Sequence, residues 1–164
     1  MSLVPTGEMT LGPFFPPEFA RGANDLALGL PEAIEIIGKV TQLDGAPLDN
    51  VVLEIWQADV QGRHDNPQFF GWGRAATDAA GFYRFRTIKP GAPDGRLPHV
   101  NFALFYSGLM RGLQTVMFFE NGRDPVLDAV PAHRRGLLIA RRAGTVYRFD
   151  VRLRGADETP FFDD

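Results

Sequence analysis

Hydrophobic and polar residues alternate with a period of two along most of this chain. In "IEIIGKVT" Ile34, Ile36 and Val40 fall on one face, and in "VVLEIWQA" Val51, Leu53 and Ile55 oppose Val52, Glu54 and Trp56. Successive side chains of a strand point to opposite faces, so this period predicts half-buried strands. The same pattern predicts strands in "FYRFRTI" (82–88), "HVNFALFY" (99–106), "LQTVMFFE" (113–120) and "TVYRFDVRL" (145–153). Turn chemistry separates them, in "LDGAPLDN", "TDAAG" and "KPGAPDG", where Asp, Asn, Gly and Pro favour chain reversal. Many short strands spaced in this way predict an all-β fold, a β-sandwich. At most one short helix is expected, over 124–130, with Asp124 as N-cap and Pro125 in the first helical position.

Residues 1–31 break the pattern. They mix Pro and Gly with Phe14, Phe15 and Phe19, a composition unsuited to a helix or strand interior. An extended N-terminal arm is expected there, ahead of a sandwich domain over 32–164. Disordered tails are poor in aromatics, so the arm is expected to pack on its own domain or on a partner.

A chain of 164 residues suffices for one domain with a real core. The net charge of −3 gives no electrostatic footprint for nucleic acid or an anionic membrane. No apolar run approaches a membrane span, and the N-terminus lacks a basic segment followed by an apolar one, so a cytoplasmic protein is expected. There is no cysteine, which removes thiolate nucleophiles, disulfides and Cys-based metal sites.

The sharpest chemical question lies in "RLPHVNFALF", where His99 and Asn101 stand two apart on one face of a strand. His-x-His at this spacing would aim two imidazoles at one metal, but the second position is an amide. His64, His99 and Asp65 would be brought together if the loops and strand ends of the sandwich met at one rim. The alternative is that His64 is a solvated loop residue and His99 a strand-end histidine satisfied locally. A serine triad is poorly supported. The serines are Ser2 and Ser107, and along one strand Ser107 would stand roughly 26 Å from His99 at about 3.3 Å per residue.

"IWQADVQGR", "GRAATDAAGFYRFRTIKPG" and "PHVNFALF" together resemble the intradiol ring-cleavage dioxygenases. The likeness runs from "TLGPFF" in the arm to "YRFDVRLRGADETPFFDD" at the C-terminus. That tail and "RRGLLIARR" resemble the alpha type of members built from homologous alpha and beta subunits. The resemblance implies a β-sandwich and, on the beta subunit, Fe(III) held by two Tyr and two His. Here the loop 59–74 and the segment 88–99 hold no Tyr, and His99 and Asn101 stand where the two histidines belong. Tyr83, Tyr106 and Tyr147 fall off the ligand pattern. Two tyrosinates compensate the charge of a hard trication, whereas one imidazole and an amide do not. The implied role is therefore a subunit without metal or catalytic residues of its own, with His99 and Asn101 marking a vestigial metal strand. The implied partner is a homologous iron-bearing beta subunit in a hetero-oligomer, and the implied substrate is a catechol-type aromatic such as protocatechuate. In alpha subunits the arm lines the substrate pocket, which points to Thr10, Gly12 and Pro13; read without the resemblance, these three form a turn in a docking arm. The family's alpha-subunit Arg beyond the vestigial strand is matched by Ser107, with Arg111 nearby. The turn and strand order "GKVTQLDGAPLDNVVLEIW…TDAAGFYRF" also matches transthyretin-like and carboxypeptidase-regulatory-like binding modules.

Overall fold

The computed structural model describes residues 23–106, 109 and 112–162. Two sheets face each other. The first has the order β4 (Phe82–Ile88), β1 (Ala33–Thr41), β8 (Val146–Arg148), β7 (Arg141–Ala143), with β9 (Val151–Arg152) also pairing β1. The second has the order β3 (Trp72–Ala76), β2 (Val52–Gln57), β5 (His99–Phe105), β6 (Leu113–Phe118). Helix α1 (Pro125–Ala129) and a 3-10 helix (Ala132–Leu138) follow β6.

The predicted alternation is what builds the core. Ile34, Ile36 and Val40 of β1 point inward with Phe85 and Tyr83 of β4. They meet Leu53 and Ile55 of β2, Val100, Phe102 and Leu104 of β5, and Met117 of β6. Tyr83 crosses the sheet to donate its hydroxyl to the Phe149 carbonyl. Gly38 permits this, since a Cβ there would fall 1.8 Å from that carbonyl oxygen and 2.6 Å from the phenol oxygen.

A second cluster forms on the outer face of the second sheet. Val116 and Phe118 of β6 are capped by Leu127 of α1, by Val130 just after it and by Leu138. Asp124 is the helix N-cap, accepting the Val126 N–H at 2.9 Å, as the sequence predicts. Among the described residues the helices cover β6 and the head of β5 at His99, and no helix lies over Asn101 and Ala103 of β5 or over β2 and β3.

Four elements differ from the sequence expectation. β3 forms where no strand was expected, because its inward residues, Gly73 and Ala75, are too small to mark an apolar alternation. The single strand expected over 145–153 is two. The break falls at Asp150, whose carboxylate accepts the Lys39 N–H at 3.0 Å in place of a ladder carbonyl. The strand β7 and the 3-10 helix were not foreseen, since "AHRRGLL" has no α-helical period and "RRA" is exposed throughout.

Candidate functional site

The candidate site is the part of the second sheet's outer face that no helix covers among the described residues. The ladder lines up its outward side chains in rows. Trp72 of β3, Trp56 of β2, Asn101 of β5 and Val116 of β6 form one, and Arg74, Glu54, Ala103 and Gln114 form the next. A concavity of about 340 Å³ lies over these rows, lined by Trp56, Trp72, Asn101, Glu54 and Gln114. Arg74 pairs with Glu54 and stacks its guanidinium over the Trp72 ring at 5.4 Å.

His99 and Asn101 do share this face, as their spacing predicts, but their surroundings differ. His99 is buried at 7% exposure, its ring 5.9 Å from Phe118, while Asn101 is exposed. The His99 Nδ1 lies 2.7 Å from the Leu97 carbonyl oxygen. A carbonyl only accepts, so Nδ1 carries the proton and Nε2 holds the lone pair. Burial pushes the His99 pKa below the ordinary imidazole value, against the Leu97 hydrogen bond and assisted by the Arg96 charge. The ring is therefore neutral at physiological pH. Asp124 fixes the approach to it. The same carboxylate that caps α1 accepts the Leu97 N–H at 3.1 Å and the Arg96 Nε at 2.6 Å.

The loop between β2 and β3 is organised by a second buried carboxylate. Asp59 accepts the backbone N–H groups of Gln61 (2.8 Å) and Arg63 (2.9 Å), the Asn66 amide (2.9 Å) and the Arg63 guanidinium. Burial alone would raise its pKa, but these donors outweigh that and hold it at about 2. The loop so shaped lays His64 flat on Trp56, with ring centroids 5.5 Å apart and planes at 13°. Phe70 meets Trp56 edge-on at 5.8 Å and is itself 72% exposed.

The donors present do not fit ferric iron. The concavity is lined by one carboxylate, Glu54, already paired with Arg74, and by the neutral amides of Asn101 and Gln114, while the one imidazole of ligand type, His99, is buried beside Phe118. His64 is committed to stacking, and among the described residues no three His, Cys, Asp or Glu converge. Tyr83 and Tyr147 are buried in the first sheet, Tyr147 against Phe119 at 4.8 Å, and Tyr106 lies beyond the far end of β5. A site built on His64, His99 and Asp65 is likewise not assembled. Thr10, Gly12, Pro13, Ser107 and Arg111 lie outside the described residues.

Sequence reasoning singled out His99 and Asn101 and missed the aromatic rows beside them. The signal for Trp56 was present, since it alternates against Leu53 and Ile55 and so had to face outward. For Trp72 there was none, because β3 itself was not legible, nor for Phe70, which lies in the loop before it.

A family model described as dioxygenase matches residues 17–155. The protocatechuate 3,4-dioxygenase alpha chain of Burkholderia cepacia is 33% identical over 195 aligned positions, which span 99% of this chain and 98% of that one. The beta chain from the same organism is 38% identical over 80% of this chain and 68% of its own length. Among solved structures, the dioxygenase domain of a dioxygenase carbohydrate-binding protein fusion from Streptomyces sp. SirexAA-E is 30% identical. It covers 93% of this chain and 100% of that one with a TM-score of 0.65.

Proposed function

This chain belongs to the intradiol dioxygenase family, and on that premise we propose that it is an iron-free alpha-type subunit working with a homologous iron-bearing beta subunit. One observation carries the assignment. At the head of β5 an imidazole and an amide stand where a ferric site needs two imidazoles, and no tyrosine shares their face. The end-to-end match to an alpha chain supports it. The binding-module alternative is not favoured, because the family match runs through the chain rather than through one turn and strand motif.

In this reading the assembled hetero-oligomer acts in the cytoplasm. It cleaves the ring of a catechol-type aromatic such as protocatechuate with O₂, between the hydroxylated carbons. The present chain supplies an interface and a wall of the substrate pocket through Thr10, Gly12 and Pro13. Ser107 cannot replace a bidentate Arg at a substrate carboxylate, so that task passes to Arg111 or to the beta subunit, or the substrate lacks that carboxylate.

The test is to produce the chain alone and with a candidate beta subunit, recording co-purification, iron content and visible absorption. Iron-tyrosinate colour and ring cleavage are expected in the co-purified complex. The same colour from this chain alone would sink the assignment. In the complex, Thr10→Val and Pro13→Ala are expected to raise KM with iron content unchanged. Loss of iron would instead place these residues in the structure of the metal site.

A further inference from the structure

The outer face of the first sheet carries a charge arrangement that the proposed role does not use. Across β4, β1, β8 and β7 the ladder sets Arg84, Ile37, Arg148 and Arg141 in one row. Arg141 and Arg148 are direct cross-strand partners, and like charges in that position are destabilising. Beside them a cleft of about 340 Å³ is walled by the end of the 3-10 helix and the turn at Gly45. Its charged lining is Lys39, Arg141, Arg148 and Arg152 against Asp150 and Asp157.

The two carboxylates are already engaged. Arg148 Nε meets Asp150 at 2.9 Å and Arg152 Nη1 meets Asp157 at 2.7 Å. Among the described residues the Lys39 ammonium stands over the Phe82 ring, at 5.5 Å to its centroid, and in no ion pair. The Arg141 side chain makes no ion pair or hydrogen bond among the described residues. Two positive charges are thus left over in a concave place, which concentrates their field.

We propose that this cleft binds a small dianion, a phosphate or a dicarboxylate, anchored by the guanidinium of Arg141. Two surplus charges match two negative ones, and the planar fork of Arg suits both oxyanions. The chain's net charge of −3 opposes a long polyanion, so the ligand is small. A bound dianion also relieves the repulsion between Arg141 and Arg148, which accounts for keeping like charges opposed.

The test uses the full chain at fixed ionic strength, titrated with inorganic phosphate, succinate and acetate by calorimetry and by melting temperature. Saturable one-to-one binding of phosphate or succinate, but not of acetate, is expected, and the tighter of the two identifies the source. Arg141→Gln should weaken that binding about 10- to 100-fold, the range for a lost charge-assisted hydrogen bond. In the absence of ligand it should leave the melting temperature unchanged or raised, since a repulsion is removed. Gly136→Phe places bulk at the cleft wall, where an added Cβ meets nothing within 4 Å, and should block binding while the protein stays folded. Arg84→Gln, in the same row but outside the cleft, should bind as the wild type does. Absence of saturable dianion binding, or equal losses from Arg84→Gln and Arg141→Gln, would overturn the proposal.

Discussion

At the scale of single residues, His99 is a ligand-type side chain held in a structural setting. Its Nδ1–H is given to Leu97, as a metal-bound imidazole gives its proton to a backbone carbonyl. Its neighbour two residues on, Asn101, offers no charge and no second imidazole. The folded pKa of His99 is depressed by burial, so between that value and the ordinary 6.5 the unfolded chain binds more protons than the folded one. Stability contributed by the neutral ring is therefore complete above pH 6.5 and falls as the pH drops through the folded pKa. His99→Gln is expected to cost about 1–3 kcal/mol at pH 7, the scale for unpairing a buried polar group. The gap to wild type should narrow as the pH falls to 5. Urea titrations of both proteins at several pH values measure this, and a gap constant with pH would refute the depressed titration.

At the scale of elements, the loop between β2 and β3 depends on one carboxylate. Asp59 gathers donors from Gln61, Arg63 and Asn66 and thereby sets where His64 rests on Trp56. Its pKa of about 2 lies below the unfolded value of 3.8. Its contribution is present above pH 3.8 and is lost as the pH falls toward 2. Asp59→Asn presents an NH₂ group to donors and loses the charge, so a loss of about 2–3 kcal/mol is expected. Trp56 fluorescence should become more solvent-quenched as the loop loosens; unchanged emission with unchanged stability would count against the organising role. The same elements show what a sequence can carry. β1, β2, β4, β5 and β6 were legible because large apolar residues alternate with polar ones. β3 was not, since Gly73 is set by a neighbour distant in sequence: a Cβ there would meet Leu26 at 2.5 Å and the Ala23 carbonyl oxygen at 2.8 Å. His99 and Asn101 were legible from their spacing alone, but the stacking of His64 was not, because the fold of its loop rests on Asp59 and on the backbone it collects.

At the scale of the whole molecule, residues 23–27 tie the two sheets together at their free edges. The Arg74 N–H of β3 donates to the Ala23 carbonyl at 3.1 Å. On β4 the Arg86 N–H donates to Asn24 at 2.7 Å, and the Leu26 N–H donates to Arg86 at 2.8 Å. Ala27 then packs with Phe69 and Ile88 in a small cluster of its own. A strand edge left bare is an invitation to wrong pairing, and here one segment covers two edges. The arm predicted over residues 1–31 therefore divides in function, its last part belonging to the domain's own stability. Deleting residues 1–31 removes those three backbone bonds and the Ala27 contact, for an expected loss of about 2–4 kcal/mol at 0.5–1.5 kcal/mol per bond. Deleting only residues 1–22 leaves them in place and should change stability little, while raising the KM of the complex if Thr10, Gly12 and Pro13 line its pocket. Chemical denaturation of the two truncated chains, followed by kinetics with the beta subunit, separates these effects. Equal destabilisation by both deletions would show that the tie does not begin at Ala23.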